Sequence, residues 1–166
     1  MILLMALALL ALTGLNGLWH LLKPMPQGTS LEGTPVFIPS SQVRFLSDLT
    51  YLDSNGQRHS KQEIFDQVFS LINQAEKFIV LDMFFWNGFQ GKSREEYRDL
   101  AGELTSALIE RKQQVPALKI VAITDPINTV YGGAKNPLFE ELAKAEIPVA
   151  QTDLSKLRDS NPLYSA

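Results

Sequence analysis

The sequence predicts an α/β protein with an N-terminal transmembrane helix, a β-hairpin and a β-α-β-α-β unit that forms a mostly parallel sheet. Three observations support this fold class. Residues 2–22 contain no charged side chain, an Asn-Gly pair stands at residues 55–56, and short apolar runs then alternate with amphipathic stretches of helical length. Alternating strands and helices with right-handed crossovers build a parallel sheet.

The composition limits the classes of protein to which the chain can belong. Its 166 residues, 45% of them hydrophobic, suit one domain behind the N-terminal segment. The net charge is −3 without a basic stripe, so nucleic acid is not expected as a partner, because binding phosphates requires clustered Lys and Arg. There is no cysteine, which excludes disulfides and Cys-ligated zinc. We expect neither a metal ion nor a cofactor.

Residues 1–23 are predicted to be a membrane anchor. The apolar run Ile2–Leu22 matches a hydrocarbon core of roughly 30 Å, and Lys23-Pro24 ends the helix. Its hydrophobicity runs all round, which argues against a buried core helix. The alternative is a cleaved signal peptide, although a basic leader and an Ala-x-Ala cleavage site are missing. Lys23 alone does not set the orientation.

Residues 24–40 are predicted to be an extended linker, because Pro and Gly recur throughout it. The domain then spans residues 41–166. It should begin with a strand at Val43–Leu52 and a turn at Asp53–Gly56. A capping box formed by Ser60 and Glu63 predicts the start of a helix.

The parallel sheet is predicted from three apolar runs. Phe78–Trp86 is apolar at nearly every position, which is typical of a central strand covered on both faces. Ser93 and Glu96 form a second capping box, before a helix that should include Tyr97. Further strands are expected at residues 118–124 and 147–151, and Asn136-Pro137 should start the short helix between them.

His59, Lys61 and Asp66 fit the spacing H-x-K-x-x-x-x-D, the signature of the phospholipase D superfamily. In that family the histidine attacks phosphorus and must project from a strand together with the lysine. The Ser60 capping box instead predicts that Lys61 and Asp66 lie on a helix, about 140° apart. We therefore expect His59 to be a polar residue at a helix entrance, without a catalytic role.

From Val43 onward, however, the chain resembles the opening part of a bacterial phospholipase D-like, or cardiolipin synthase-like, protein. The matching stretches are Phe45–Thr50, Asn73–Lys77, Phe78–Trp86, Ile123–Asn128, Tyr131–Gly133 and Arg158–Leu163. The resemblance implies a phosphodiesterase or phosphatidyltransferase that acts on phospholipids through a phosphohistidine, without a metal.

In that family the first catalytic motif follows at about the position where this sequence reaches Ala166. The chain is therefore expected to be the N-terminal portion of such an enzyme, without catalytic residues and inactive alone. The resemblance also implies a single-pass protein of the bacterial cell membrane, or a secreted or periplasmic one if the N-terminal segment is cleaved.

Candidate substrate-pocket residues follow from the position of polar and aromatic side chains near strand ends, where ligands of open α/β sheets collect. They are Asp82, Trp86, Asn87, Asp125, Asn128 and Tyr131. The structural alternative for Asp125 is a turn in which its carboxylate binds backbone amides. Asp82 could instead be a lining residue paired with a neighbour.

Two other classes of protein remain open. One is a non-catalytic, membrane-anchored α/β scaffold or interaction module. The other is a flavodoxin-like or receiver-like domain in which Asp82 and Asp125 form an acidic pocket, with magnesium or phosphate bound at the strand ends.

Overall fold

The computed structural model describes residues 1–89 and 97–158. The described residues form two compact units: Met1–Phe37 with residues 153–158, and Ile38–Thr152. The second capping box predicted at Ser93 and Glu96 lies outside the described residues, as does most of the Arg158–Leu163 stretch.

In the first unit, helix α1 spans Ile2–Leu22 and buries none of its 21 residues. It is the one helix in the described ranges that is long and apolar enough to cross a membrane. Its length of about 31 Å at 1.5 Å per residue equals the thickness of a hydrocarbon core. A signal sequence near an N-terminus can also be long and apolar enough to meet this criterion.

The second unit begins with the predicted hairpin. Strands β1 (Asp48–Leu52) and β2 (Arg58–Gln62) pair antiparallel. Gly56 lies in the turn at a φ of 76°, a conformation that costs glycine little because it has no Cβ. The first strand is shorter than predicted, since it begins at Asp48 rather than Val43.

Helix α2 (Glu63–Gln74) follows the hairpin directly. The capping box predicted at Ser60 is wrong, because Ser60 lies in β2 and its hydroxyl contacts that of Thr50 across the hairpin. The helix is capped from β1 instead: the Asp48 carboxylate accepts a hydrogen bond from the N–H of Ile64 at 3.0 Å. A cap supplied by a neighbouring strand leaves no pattern in the local sequence.

The β-α-β-α-β unit is confirmed. Its strands are β3 (Phe78–Met83), β4 (Lys119–Thr124) and β5 (Val149–Gln151), which pair parallel in the order β3-β4-β5. Helix α3 (Leu100–Gln114) joins the first two strands, and helix α4 (Pro137–Lys144) joins the last two. Helix α3 begins after Tyr97, contrary to the prediction, and the Asp99 carboxylate caps it by accepting from the N–H of Gly102.

The core lies between one face of this sheet and the three helices of the unit. Its fully or nearly fully buried apolar residues are Ile72, Trp86, Leu104, Leu108, Leu118, Ile120, Ala122, Leu142 and Ile147. The opposite face is open, with Phe78 69% and Val80 62% exposed. The prediction that the Phe78–Trp86 run is a central strand covered on both faces is therefore wrong. The strand ends at Met83 and lies beside β4, which is the central strand of the described sheet.

Candidate functional site at the carboxyl end of the sheet

Asn128, which is fully buried, connects the chain segments that follow strands β3 and β4. Its side-chain oxygen accepts hydrogen bonds from the backbone N–H of Trp86 and the Asn87 amide, both at 2.7 Å. Its side-chain nitrogen donates to the carbonyl oxygen of Phe84 at 2.7 Å and to the hydroxyl of Thr124 at 2.8 Å. Because both ends of the amide are used within the protein, Asn128 is a structural bridge rather than a free ligand-binding group.

Trp86 is an anchor of the core. Its indole N–H donates to the Thr105 hydroxyl at 3.0 Å, and its ring meets Phe139 edge-on at 6.2 Å. Its carbonyl oxygen accepts from the Asn136 amide at 2.8 Å. The Asn136 side chain also caps α4 by accepting from the N–H of Leu138 at 3.1 Å, so the predicted Asn-Pro helix start is confirmed.

Asp125 directly follows β4 and caps a 3-10 turn at Pro126–Thr129. Its carboxylate accepts the backbone N–H of Ile127 at 2.8 Å, the arrangement expected from the turn interpretation. After the turn, Val130 and Tyr131 have backbone φ values of 49° and 53°, which are uncommon for residues other than glycine. Tyr131 is 66% exposed, and it is not among the described hydrogen-bond partners of the Asn128 side chain.

Asp82 lies apart from the other candidates. Side chains two residues apart on a strand share a face, so Asp82 joins the exposed Phe78 and Val80 on the open face of the sheet. The structure therefore brings Trp86, Asn87, Asn128 and the Asp125 turn together, and it leaves Asp82 and Tyr131 outside this group.

A groove of about 250 Å³ lies beside this network, between the end of β3 and the start of α3. Arg98 is the cationic residue in its wall. The guanidinium contacts Glu103 and Asp66, each at 2.8 Å, and these two carboxylates raise the pKa of Arg98. With two carboxylates on one guanidinium, the described part of the groove wall has no net positive charge with which to attract phosphate.

His59 and Lys61 lie two residues apart on β2 and so share one face, contrary to the prediction of a helix. His59 stacks on Tyr51 with ring centroids 5.4 Å apart, and its Nε2 contacts the Asp53 carboxylate at 3.1 Å. This hydrogen bond lowers the pKa of Asp53. Lys61 pairs with Glu63.

The third residue of that motif, Asp66, lies on α2 and pairs with Arg98. The side chains of His59 and Lys61 are 43% and 62% exposed. The prediction that Lys61 lies on a helix, which argued against catalysis, is therefore wrong. The prediction that His59 has no catalytic role now rests on the exposed hairpin and on the local ion pairs.

Sequence patterns alone did not indicate Thr105 or Arg98 as members of this region. Both lie more than ten positions from the strand ends along the chain, and only the fold brings them close. Within residues 1–89 and 97–158, no group of three or more His, Asp or Glu side chains could hold a metal ion.

Comparison of the chain with protein-family models, curated protein sequences and solved structures finds no match.

Proposed function

We propose that this chain is the membrane-anchored part of a phospholipase D-like phosphodiesterase or phosphatidyltransferase that acts on phospholipids. The chain contributes the anchor and part of the sheet rather than catalytic groups. The support is the motif resemblance in the sequence, the apolar helix α1, and the order of hairpin and parallel strands.

One observation carries the claim that the chain is part of a larger assembly: among the described residues, the parallel sheet is covered on one face only. Parallel sheets normally bury both faces beneath helices. Here Phe78 and Val80 on β3 are mostly exposed, and Val121 on β4 is 38% exposed. A second layer of protein would bury these apolar side chains.

The non-catalytic role follows from the polar residues already described. Asn128 uses its amide to join loops, Arg98 is paired with two carboxylates, and His59 lies on an exposed hairpin. A phosphohistidine mechanism needs a nucleophilic histidine and a general acid in one pocket. The described residues do not supply that pair.

A second candidate function is a non-catalytic, membrane-anchored scaffold that binds a partner protein. The same open sheet face favours it, because exposed large apolar side chains such as Phe78 and Val80 are typical of an interaction site. The two proposals differ in whether the mature assembly turns over phosphodiesters.

Turnover of phospholipid by two preparations separates these proposals. The first is the full chain reconstituted in vesicles that contain fluorescent phosphatidylglycerol, together with its His59→Ala variant. The second is the native assembly, purified from its source membranes with an antibody against residues 38–152. We expect no turnover by the first preparation, whether or not His59 is present. We expect hydrolysis or headgroup transfer by the second, with an acid-labile phosphohistidine adduct.

The outcomes are distinct. Turnover by the chain alone that disappears in His59→Ala would show that the hairpin motif is catalytic. A native assembly without turnover or adduct would remove the phospholipase D proposal and leave the scaffold.

A further inference from the structure

Three hydrogen bonds tie the end of α1 to the segment Asp153–Arg158. The Lys23 ammonium donates to the carbonyl oxygens of Ser155 and Leu157, the latter at 2.9 Å. The Arg158 Nε donates to the carbonyl oxygen of Lys23 at 2.8 Å. All these residues belong to the same compact unit. The segment therefore lies at the end of the apolar helix, although more than 130 residues separate it from Lys23 in the chain.

The charges of this segment are predominantly positive. Within the described part of this region, Lys23, Lys156 and Arg158 are accompanied by one carboxylate, that of Asp153, which Lys156 approaches at 3.6 Å. The partners of Lys23 are neutral carbonyl groups, so its charge is not cancelled. Arg158 uses only Nε in its hydrogen bond, which leaves its two terminal nitrogens as a donor pair that suits a phosphate.

A groove of about 380 Å³ runs beside these cations. Trp19, Pro24, Met25 and Pro26 give it apolar walls, and Lys23, Ser155 and Lys156 complete its lining. Trp at the end of a membrane helix lies at the level of the lipid headgroups. An apolar groove with a cationic rim at that level is complementary to a lipid whose phosphate is anionic.

We propose that the end of α1 and the segment Asp153–Arg158 together bind the headgroup of an anionic phospholipid. The phosphate lies against Lys156 and Arg158, and the upper acyl chain lies against Trp19 and Met25. This inference rests on the membrane-anchoring part of the proposed function and is independent of any phospholipase activity.

Labelling a single cysteine tests this inference, because the native chain has none. Leu154, 41% exposed and adjacent to the cations, is changed to Cys and labelled with an environment-sensitive fluorophore in the full chain. The protein is reconstituted in vesicles of phosphatidylcholine alone or with phosphatidylglycerol, and headgroup-level spin-labelled lipid serves as quencher. We expect about twofold stronger quenching with phosphatidylglycerol, because basic residues at the surface attract anionic lipid.

The double variant Lys156→Gln/Arg158→Gln should lose the dependence on phosphatidylglycerol. The matched control Lys135→Gln/Lys144→Gln removes the same charge from exposed positions of the other unit and should keep it. Equal quenching in both lipids, or equal loss in both double variants, would overturn the inference. Extraction with alkaline carbonate tests the anchor separately. A chain that is washed off the membrane would refute both the anchoring and this inference. A chain that stays in the membrane, but whose label does not respond to phosphatidylglycerol, would refute this inference alone.

Discussion

Asn128 makes hydrogen bonds at both ends of its amide while fully buried, so its removal would leave several polar groups without partners. The backbone N–H of Trp86 and the carbonyl oxygen of Phe84 would both lose this hydrogen-bond partner at a site away from water. Each orphaned buried group costs about 1–3 kcal/mol. We expect Asn128→Ala to lower the free energy of unfolding by about 3 kcal/mol. Urea titration of the full chain in detergent, followed by Trp86 fluorescence in a Trp19→Phe background, measures this change.

Asn73→Ala is the matched control, because Asn73 is exposed on α2. We expect that substitution to change the free energy of unfolding by less than about 0.5 kcal/mol. Equal effects of the two substitutions would mean that Asn128 does not hold the two loops together.

At this scale the sequence predicted the neighbourhood of the site better than its chemistry. The rule that parallel strands end at one edge correctly placed Trp86, Asn87 and Asn128 near each other. It did not reveal that the Asn128 side chain would use its hydrogen-bonding groups on backbone partners, since those partners depend on the path of two loops. The face of Asp82 was also hidden, because a run that is apolar on nearly every residue shows no alternation.

Among the elements, helix α1 has the clearest sequence signal and the most direct test. We expect membranes that contain the full chain to retain it after alkaline carbonate washing, because a mostly apolar helix of 21 residues that crosses the bilayer is held far more strongly than a surface contact. N-terminal sequencing of the retained protein should begin at or near Met1. Replacing Leu9 and Leu10 with Arg should release the chain, because each central Arg costs about 2.5–3.5 kcal/mol in a membrane helix.

Replacing Leu31, an exposed residue of the linker, with Arg is the control and should leave the chain in the membrane. A soluble product that begins near Gln27 would instead identify α1 as a cleaved signal sequence.

The other elements show where local patterns are sufficient. The Asn-Gly turn and the Asn136-Pro137 helix start were predicted correctly, because each depends on residues adjacent in the chain. The Ser60 capping box failed because the same Ser-x-x-Glu spacing also fits a strand that runs directly into a helix. In that strand Ser60 pairs with Thr50, and this pairing is determined by the hairpin rather than by local propensity.

For the whole molecule, an apolar run predicted burial that the described residues do not provide. Phe78–Trp86 reads as a strand covered on both faces, yet α2, α3 and α4 leave Phe78 and Val80 on the open side. The apolar pattern of a strand indicates which side chains avoid water in the complete protein. It does not indicate whether a single unit contains all the layers that cover those side chains.

We therefore expect the domain alone, residues 41–166, to have native-like secondary structure but a poorly protected sheet. Its open face should bind a hydrophobic dye, and the β3 edge, which pairs with no further strand among the described residues, should promote association as concentration rises. Amides of β3 should exchange faster than those of the central strand β4. Dye fluorescence, sedimentation and hydrogen exchange measure these three properties.

Phe78→Thr/Val80→Thr should reduce both dye binding and association, because threonine keeps β propensity while it removes apolar surface. Leu71→Gln is the matched control: Leu71 is 60% exposed on α2, away from the sheet face, so its loss should leave dye binding and association unchanged. A domain that stays monomeric, binds no dye, melts sharply and protects the amides of all three strands would need no second layer. In that case the open face would be an ordinary surface, and the inference that this sheet belongs to a larger phospholipase D-like lobe would lose its physical basis.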